Sequence, residues 1–143
     1  MEGTNKLPIS TTSLKRLTEL SFQTNCCQFS DVMDLINCCP KLEVPHIYNY
    51  HSSYQTHCTC CWRDPISAPR CLSTNLKRVL YRGFRGLEDE MAMLKFIVNH
   101  GAVMKSVDIH YSACFRDLGK KFGLLDEITN LTRASPTCKI SLT

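Results

Sequence analysis

One spacing recurs four times in this chain and constrains its fold more than any other feature. The pattern apolar-x-x-apolar-x-apolar occurs at Leu17/Leu20/Phe22, Leu42/Pro45/Ile47, Leu76/Val79/Tyr81 and Met104/Val107/Ile109. Successive starts lie 25, 34 and 28 residues apart, against the period of about 20–29 residues expected when each unit contributes one short strand to a solenoid. The long middle gap holds YNYHSSYQTHCTCCWRDPISAPR, a polar, proline-containing segment that reads as a loop between two units. Within each triplet the last two apolar residues are two apart and share one face of a strand, while the first anchors its start. Such strands lie side by side.

Helical periods fill the spaces between the strands. Val32, Leu35, Ile36 and Cys39 continue from Ser30 at helical spacing; Ser30 or Asp31 can cap the start and Pro40 ends the run. Leu87, Met91, Leu94 and Val98 line one side of a second helix with Ile97 beside them, and Gly101 falls where a left-handed C′ residue is wanted. The basic run Lys77, Arg78, Arg82, Arg85 belongs to a strand and turn, and Gly83 and Gly86 release the chain into that helix. Glu88, Asp89 and Glu90 then occupy its first turn, where negative charge favours the helix dipole. A third helix is predicted from Leu118 to Leu131, with Phe122, Leu124, Leu125 and Ile128 inward, and TCKISL alternates as a last strand with Cys138, Ile140 and Leu142 on one face. The expected fold is therefore α/β, an open leucine-rich-repeat-like array of short parallel strands alternating with helices and closed by a C-terminal helix and strand. Arrays of this kind display a row of strand residues that usually binds other proteins.

At 143 residues the chain is long enough to bury a core without disulfide or metal support. Its ten cysteines, at 26, 27, 38, 39, 58, 60, 61, 71, 114 and 138, therefore need not be a disulfide framework. No charged and apolar leader opens the sequence, and no apolar run is long enough to span a bilayer. An intracellular, reduced protein is expected, in nucleus or cytoplasm and not in a membrane. The net charge of +4 is uneven, because residues 63 to 85 hold six cations against Asp64 alone, giving +5, and the remainder sums to −1. A basic face would suit phosphate or an acidic partner. Nucleic acid is disfavoured, since no aromatic-interleaved platform or reading helix accompanies the charge.

The stretch CWRDPISAPRCLSTNLKRVLYRGFRGLEDEMAMLKFIVNHGAVMKSVDI, followed by LLDEITNLTRASPTCKISL, resembles the FBD domain that closes many plant F-box/FBD/LRR-repeat proteins. The likeness is carried by Trp62 and Pro65, Cys71-Leu72, Leu76 with Arg82-Gly83 and Phe84, Glu88 to Met91, and Arg133 to Cys138. LINCCPKLEV resembles a Cys-Pro-x-Leu junction of the repeats in the same family. The implied organisation is a repeat remnant over 1–49, a Cys/His/Tyr-rich loop or linker over 50–61 and an FBD domain over 62–143. In that family an F-box docks on a Skp1-type adaptor of a cullin-RING ubiquitin ligase and the repeats recognise the protein to be ubiquitinated. Residues 1 to 16 are too short for a three-helix F-box. The resemblance thus implies a non-catalytic interaction module related to SCF-type substrate-recognition subunits, with an unknown protein partner, and with a Skp1-type adaptor only if coupling survives that loss.

Candidate partner-binding residues are the cations Lys77, Arg78, Arg82 and Arg85 and the aromatic residues Tyr48, Tyr50, Tyr54 and Trp62, of the type enriched in binding hot spots. Tyr81 is assigned to the core, and Trp62 either anchors a partner or pins the loop onto the repeat. The alternative is a cysteine-rich zinc or nucleic-acid-binding module built on HCTCC, with His57, Cys58, Cys60 and Cys61 as ligands and the basic window 63–85. Zinc needs four compatibly spaced ligands, and no second C-x-x-C is present. Cys39 and Cys138 read as packing residues. No nucleophile elbow, Walker loop or G-x-G-x-x-G occurs, so neither an enzyme nor a cofactor is expected.

Overall fold

The computed structural model describes residues 15–24, 29–49, 62–113, 115 and 117–143. Five strands, β1 (Glu19–Thr24), β2 (Val44–Asn49), β3 (Arg78–Phe84), β4 (Ser106–Tyr111) and β5 (Lys139–Leu142), form one sheet in the order β1-β2-β3-β4-β5. Every pairing is parallel. Between them come α1 (Phe29–Asn37), α2 (Arg70–Thr74), α3 (Glu88–His100) and α4 (Leu118–Thr129). Sequential parallel strands joined by crossovers of one hand place their helices on one face of the sheet. The other face is left open, which is the repeat architecture expected from the recurrent spacing.

The triplets set the core. Leu42, Leu76 and Met104 are buried just before their strands, and Pro45/Ile47, Val79/Tyr81 and Val107/Ile109 are buried within them. Register brings these into two rows, Leu20-Pro45-Val79-Val107-Ile140 and Phe22-Ile47-Tyr81-Ile109-Leu142. Phe29, Val32, Met33 and Ile36 of α1 and Met93, Leu94 and Ile97 of α3 belong to the same core cluster. At the strand starts, backbone hydrogen bonds step from unit to unit. Thr18 O accepts from Glu43 N and Val44 N (2.7 and 3.0 Å), Glu43 O from Lys77 N and Arg78 N (2.9 and 3.1 Å), Lys77 O from Lys105 N and Ser106 N (2.7 and 3.2 Å), and Lys105 O from Lys139 N (3.0 Å).

At the other end of the strands the fold encloses a carboxylate. Glu90, in the first turn of α3, is fully buried. Its Oε2 accepts from the Tyr81 hydroxyl at 2.5 Å and from Asn49 Nδ2 at 2.8 Å. Its Oε1 accepts from the backbone N–H groups of Arg85 and Leu87 at 2.9 and 3.1 Å. One side chain thereby ties β2, β3, the following turn and α3 together. The dipole role expected for all three acidic residues of this turn is too simple, because Glu90 faces the core and Asp89 accepts from Trp62 N at 3.0 Å. Gly83 (φ 90°) and Gly86 (φ 75°) do turn the chain as anticipated. A Cβ at Gly83 would lie 2.2 Å from the Asn49 carbonyl oxygen, so only glycine fits at this point, where the register of β3 against β4 also shifts.

Several local expectations need correction. Helix α1 begins at Phe29 and buries Phe29 and Met33, whereas Ser30 is an exposed residue inside it. Gly101 has φ −83°, not a left-handed value; a Cβ there would crowd Ile97 O and Met104 Cβ, both at 3.1 Å. The short helix α2 has no counterpart in the sequence reading, since five residues are too few to show a period. In α4 only Ile128 is buried and Leu124 half-buried, while Phe122 and Leu125 are 73% and 40% exposed. The apolar arc of that helix is wider than the surface it covers.

Candidate functional site

Strand alternation fixes which side chains the open face displays. Outward positions are Glu19, Ser21 and Gln23 on β1, Val44, His46 and Tyr48 on β2, Arg78, Leu80 and Arg82 on β3, Ser106, Asp108 and His110 on β4, and Lys139 and Ser141 on β5. Their inward neighbours pack the core, so these residues are free to vary with what the face meets.

Most charge on this side is neutralised within the molecule. Arg78 Nε and Nη2 donate to Asp108 Oδ2 at 3.0 and 2.9 Å, and Ser141 donates to Asp108 Oδ1 at 2.9 Å. His46 Nε2 lies 2.7 Å from Glu19 Oε1. Lys77, at the start of β3, pairs with Glu43 at 3.5 Å. Arg82 instead lies over the Tyr48 ring, 5.9 Å from its centroid, and both are exposed. Arg85 follows the end of β3 and is half-buried. The six cations of the basic window therefore do not form one patch. Arg78 and Arg82 stand on the open face, Arg70 begins α2, and Lys77 and Arg78 are already matched by acids.

Trp62 lies on the helix side. It is half-buried, its backbone N–H donates to Asp89, its Nε1 donates to Asp64 Oδ1 at 2.6 Å, and its ring is 6.0 Å from that of Phe96. These contacts pin the chain before β3 onto α3. A shallow cleft of about 220 Å³ beside it is lined by Asp64, Ala92, Lys95, Phe96, Asn99 and His100. His100 Nδ1 donates to Phe96 O at 2.9 Å, closing the last turn of α3. Tyr50 and Tyr54, and the zinc candidates His57, Cys58, Cys60 and Cys61, lie outside the described residues. Among the described residues no group of three or more His, Cys, Asp or Glu is placed to hold a metal ion.

Three of the four described thiols are packing groups. Cys39, Cys71 and Cys138 are buried and Cys38 is exposed. Burial, and then the nearby Cys39, push the Cys71 thiol up to about 11, and it donates to Ile36 O at 3.6 Å. Burial likewise raises Cys39 and Cys138. A thiol held protonated at neutral pH is a poor nucleophile and a poor metal ligand.

Sequence reasoning missed Glu90, Asn49 and the outward partners His46, Asp108 and His110. A signal for the first two was present. Asn49 lies two residues after Ile47 and so has inward parity, and Glu90 lies four residues before Leu94 on the helix stripe. A buried amide and a buried carboxylate in adjacent units are natural partners.

A protein-family profile described as FBD matches residues 64–109. An FBD-associated F-box protein of Arabidopsis thaliana is 36% identical over 101 residues, covering 71% of this chain and 22% of that protein. An F-box/FBD/LRR-repeat protein of the same plant is 29% identical over 106 residues, 71% of this chain and 23% of the relative. A further FBD-associated F-box protein is 25% identical over 139 residues, 90% of this chain and 33% of the relative. The chain thus spans between about a fifth and a third of the length of these curated relatives. No solved structure matches it. Among the described residues no helix is long and apolar enough to cross a membrane.

Proposed function

We propose, for a chain that carries an FBD domain and is related to FBD-associated F-box and F-box/FBD/LRR-repeat proteins, that it is a non-catalytic protein-interaction module of the kind that selects substrates for SCF-type ubiquitin ligases. The observation that carries this reading is the open sheet face. Five parallel strands in chain order present in-register rows of polar, charged and aromatic side chains that the core does not use. A rigid sheet holding such rows at strand spacing is a binding surface by construction, and strand-facing surfaces of repeat arrays serve protein partners. In this reading residues 1–49 are a repeat remnant, 50–61 a linker and 62–143 the FBD domain, and the protein works inside the cell.

The test is affinity purification of the tagged 143-residue chain from plant cells, beside a variant carrying Ser21→Gln, Leu80→Gln and Ser106→Gln, which plants three neutral, longer side chains on β1, β3 and β4 of the open face. Specific proteins retained by the wild type and lost by the variant are expected. If both chains retain the same proteins, the open face is not the recognition surface. Adaptor and cullin in the wild-type fraction would place the module in a ligase; their absence alongside other specific proteins would make it a recognition module acting apart from one.

A further inference from the structure

Resting on the reading of the open face as a partner surface, we infer that its partner is an acidic protein segment, whose carboxylates dock on the C-terminal rim of the strands at Arg82, Tyr48 and His110. The argument begins with an uneven distribution of acids. Register aligns the outward residues into three rows across the sheet. The row at the strand starts contains Glu19, and the middle row contains Asp108. The third row, Gln23-Tyr48-Arg82-His110, continues to Thr143, whose hydroxyl lies 2.9 Å from His110 Nδ1, and none of its side chains is acidic.

Internal ion pairing follows the same division. Arg78, Lys77 and His46 each have a carboxylate within 4 Å, whereas among the described residues none is within that range of Arg82. The contact Arg82 does make is to the face of the Tyr48 ring. A cation–π contact orders the guanidinium without using its five N–H donors, so it presents a pre-positioned fork for an oxygen anion. Arg85, the residue after β3, is a second cation near this end of the sheet, with no described acid paired to its side chain. His46 and Leu80 lie in the row beneath, so a docking segment meets apolar and aromatic surface beside the cations, as central anchor residues require.

A protein segment fits this site better than a polyphosphate chain does. Nucleic-acid binding draws on many cations spread along a track, each releasing counterions. Here Arg78 and Lys77 are already matched by acids and Lys139 stands apart at the start of the edge strand, leaving a compact site for one or two carboxylates. Charge complementarity, not area, would then decide which proteins the face accepts.

The experiment selects peptides of about twelve random residues, displayed on phage, against the immobilised full-length chain, and measures the affinities of synthetic versions. The expected result is enrichment of Asp- and Glu-containing sequences. Their binding should weaken as salt rises and fall about tenfold or more in Arg82→Gln, the scale of a lost charge-assisted hydrogen bond. Lys139→Gln, which removes one exposed cation from the edge strand of the same face, should change it less than about twofold, separating a site effect from net charge. Enriched peptides without acids, acidic peptides indifferent to Arg82→Gln, or no enrichment at all would each overturn the inference. Stronger, Arg82-dependent binding of a single-stranded oligonucleotide would also overturn it and reassign the rim to nucleic acid. The Ser21→Gln/Leu80→Gln/Ser106→Gln variant distinguishes the two levels. Peptides that it rejects while Arg82→Gln accepts them leave the partner face standing and remove only its acidic specificity.

Discussion

Replacing Glu90 by leucine tests whether the buried carboxylate organises the fold. The substitution keeps most of the volume and removes both oxygens from a site with no solvent exposure. Four donors lose an acceptor: the Tyr81 hydroxyl, Asn49 Nδ2 and the N–H groups of Arg85 and Leu87. One is partly compensated, because Asn49 Nδ2 also donates to the Tyr81 oxygen at 2.8 Å. The two backbone groups have no such alternative, and each buried donor left without a partner costs about 1–3 kcal/mol. Relief from burying a carboxylate offsets part of the sum. A net loss of about 3–5 kcal/mol is expected, which for a domain of this size lowers Tm by about 10–15 °C. Glu90→Gln should cost only about 1–2 kcal/mol. The introduced amide can still accept from Arg85 N and Leu87 N, and its nitrogen can donate to Asn49 Oδ1, which is buried without a hydrogen bond in the wild type, once the Asn49 amide turns over. Urea unfolding followed by the fluorescence of Trp62, the single tryptophan, reads both variants. The reasoning fails if Glu90→Leu lies within about 1 kcal/mol of wild type, or if the glutamine costs as much as the leucine.

Two glycines should respond in opposite directions to alanine. Gly83→Ala places a Cβ 2.2 Å from Asn49 O at a φ of 90° and should destabilise by about 2 kcal/mol or more; Gly123→Ala meets nothing within 4 Å in α4 and should stabilise by about 0.5–1 kcal/mol. Both are read by thermal melts. In the same helix, Ile128→Ala should cost about 2–4 kcal/mol, whereas Phe122→Ser, at a position 73% exposed, should change stability by less than about 0.5 kcal/mol; equal costs would mean that α4 packs by its other side. Stability should also decline as pH rises from about 9 towards 11. The buried Cys71 thiol, pushed up to about 11 from 9.0, stays protonated while the unfolded chain's thiol ionises, so the unfolded state loses protons first; Cys71→Ala should flatten that decline. Alkylation of the native protein, mapped by peptide mass, should label Cys38 much faster than Cys39, Cys71 or Cys138.

The strands were legible because their signal repeats. Each triplet is only six residues long, but four copies at similar separation make a pattern that no single copy could. The turn at Gly83 and Gly86 was legible for a related reason, since a basic strand passing through two glycines into an acidic first turn has few physical explanations. Helix coverage was not legible. The spacing of Phe122, Leu125 and Ile128 reports that α4 has an apolar side, and says nothing of how much of that side another element covers. Glu90 was hidden by a sufficient but incomplete explanation, because an acid at a helix start needs no partner to make sense. The rim was half legible. Arg82 and Tyr48 were singled out from composition, but only the register shows that they touch and that Arg78, four residues earlier, is already neutralised across β4. Tyr50, Tyr54 and the HCTCC cluster lie outside the described residues.

The strand order has a mechanical consequence. Because the five strands follow one another across the sheet in chain order, the first and last of them lie on opposite edges, and tension applied through the chain at β1 and β5 acts at strand ends and across the hydrogen-bond ladders. Parallel ladders loaded this way open rung by rung instead of shearing as a block, so the resisting force at any instant is that of a few bonds. The edge at β5, where Ile140 and Leu142 are only half-buried and a single step bond from Lys139 holds the strand start, peels first. A sheet of this order can therefore be dismantled from its C-terminal edge by a weak, persistent pull.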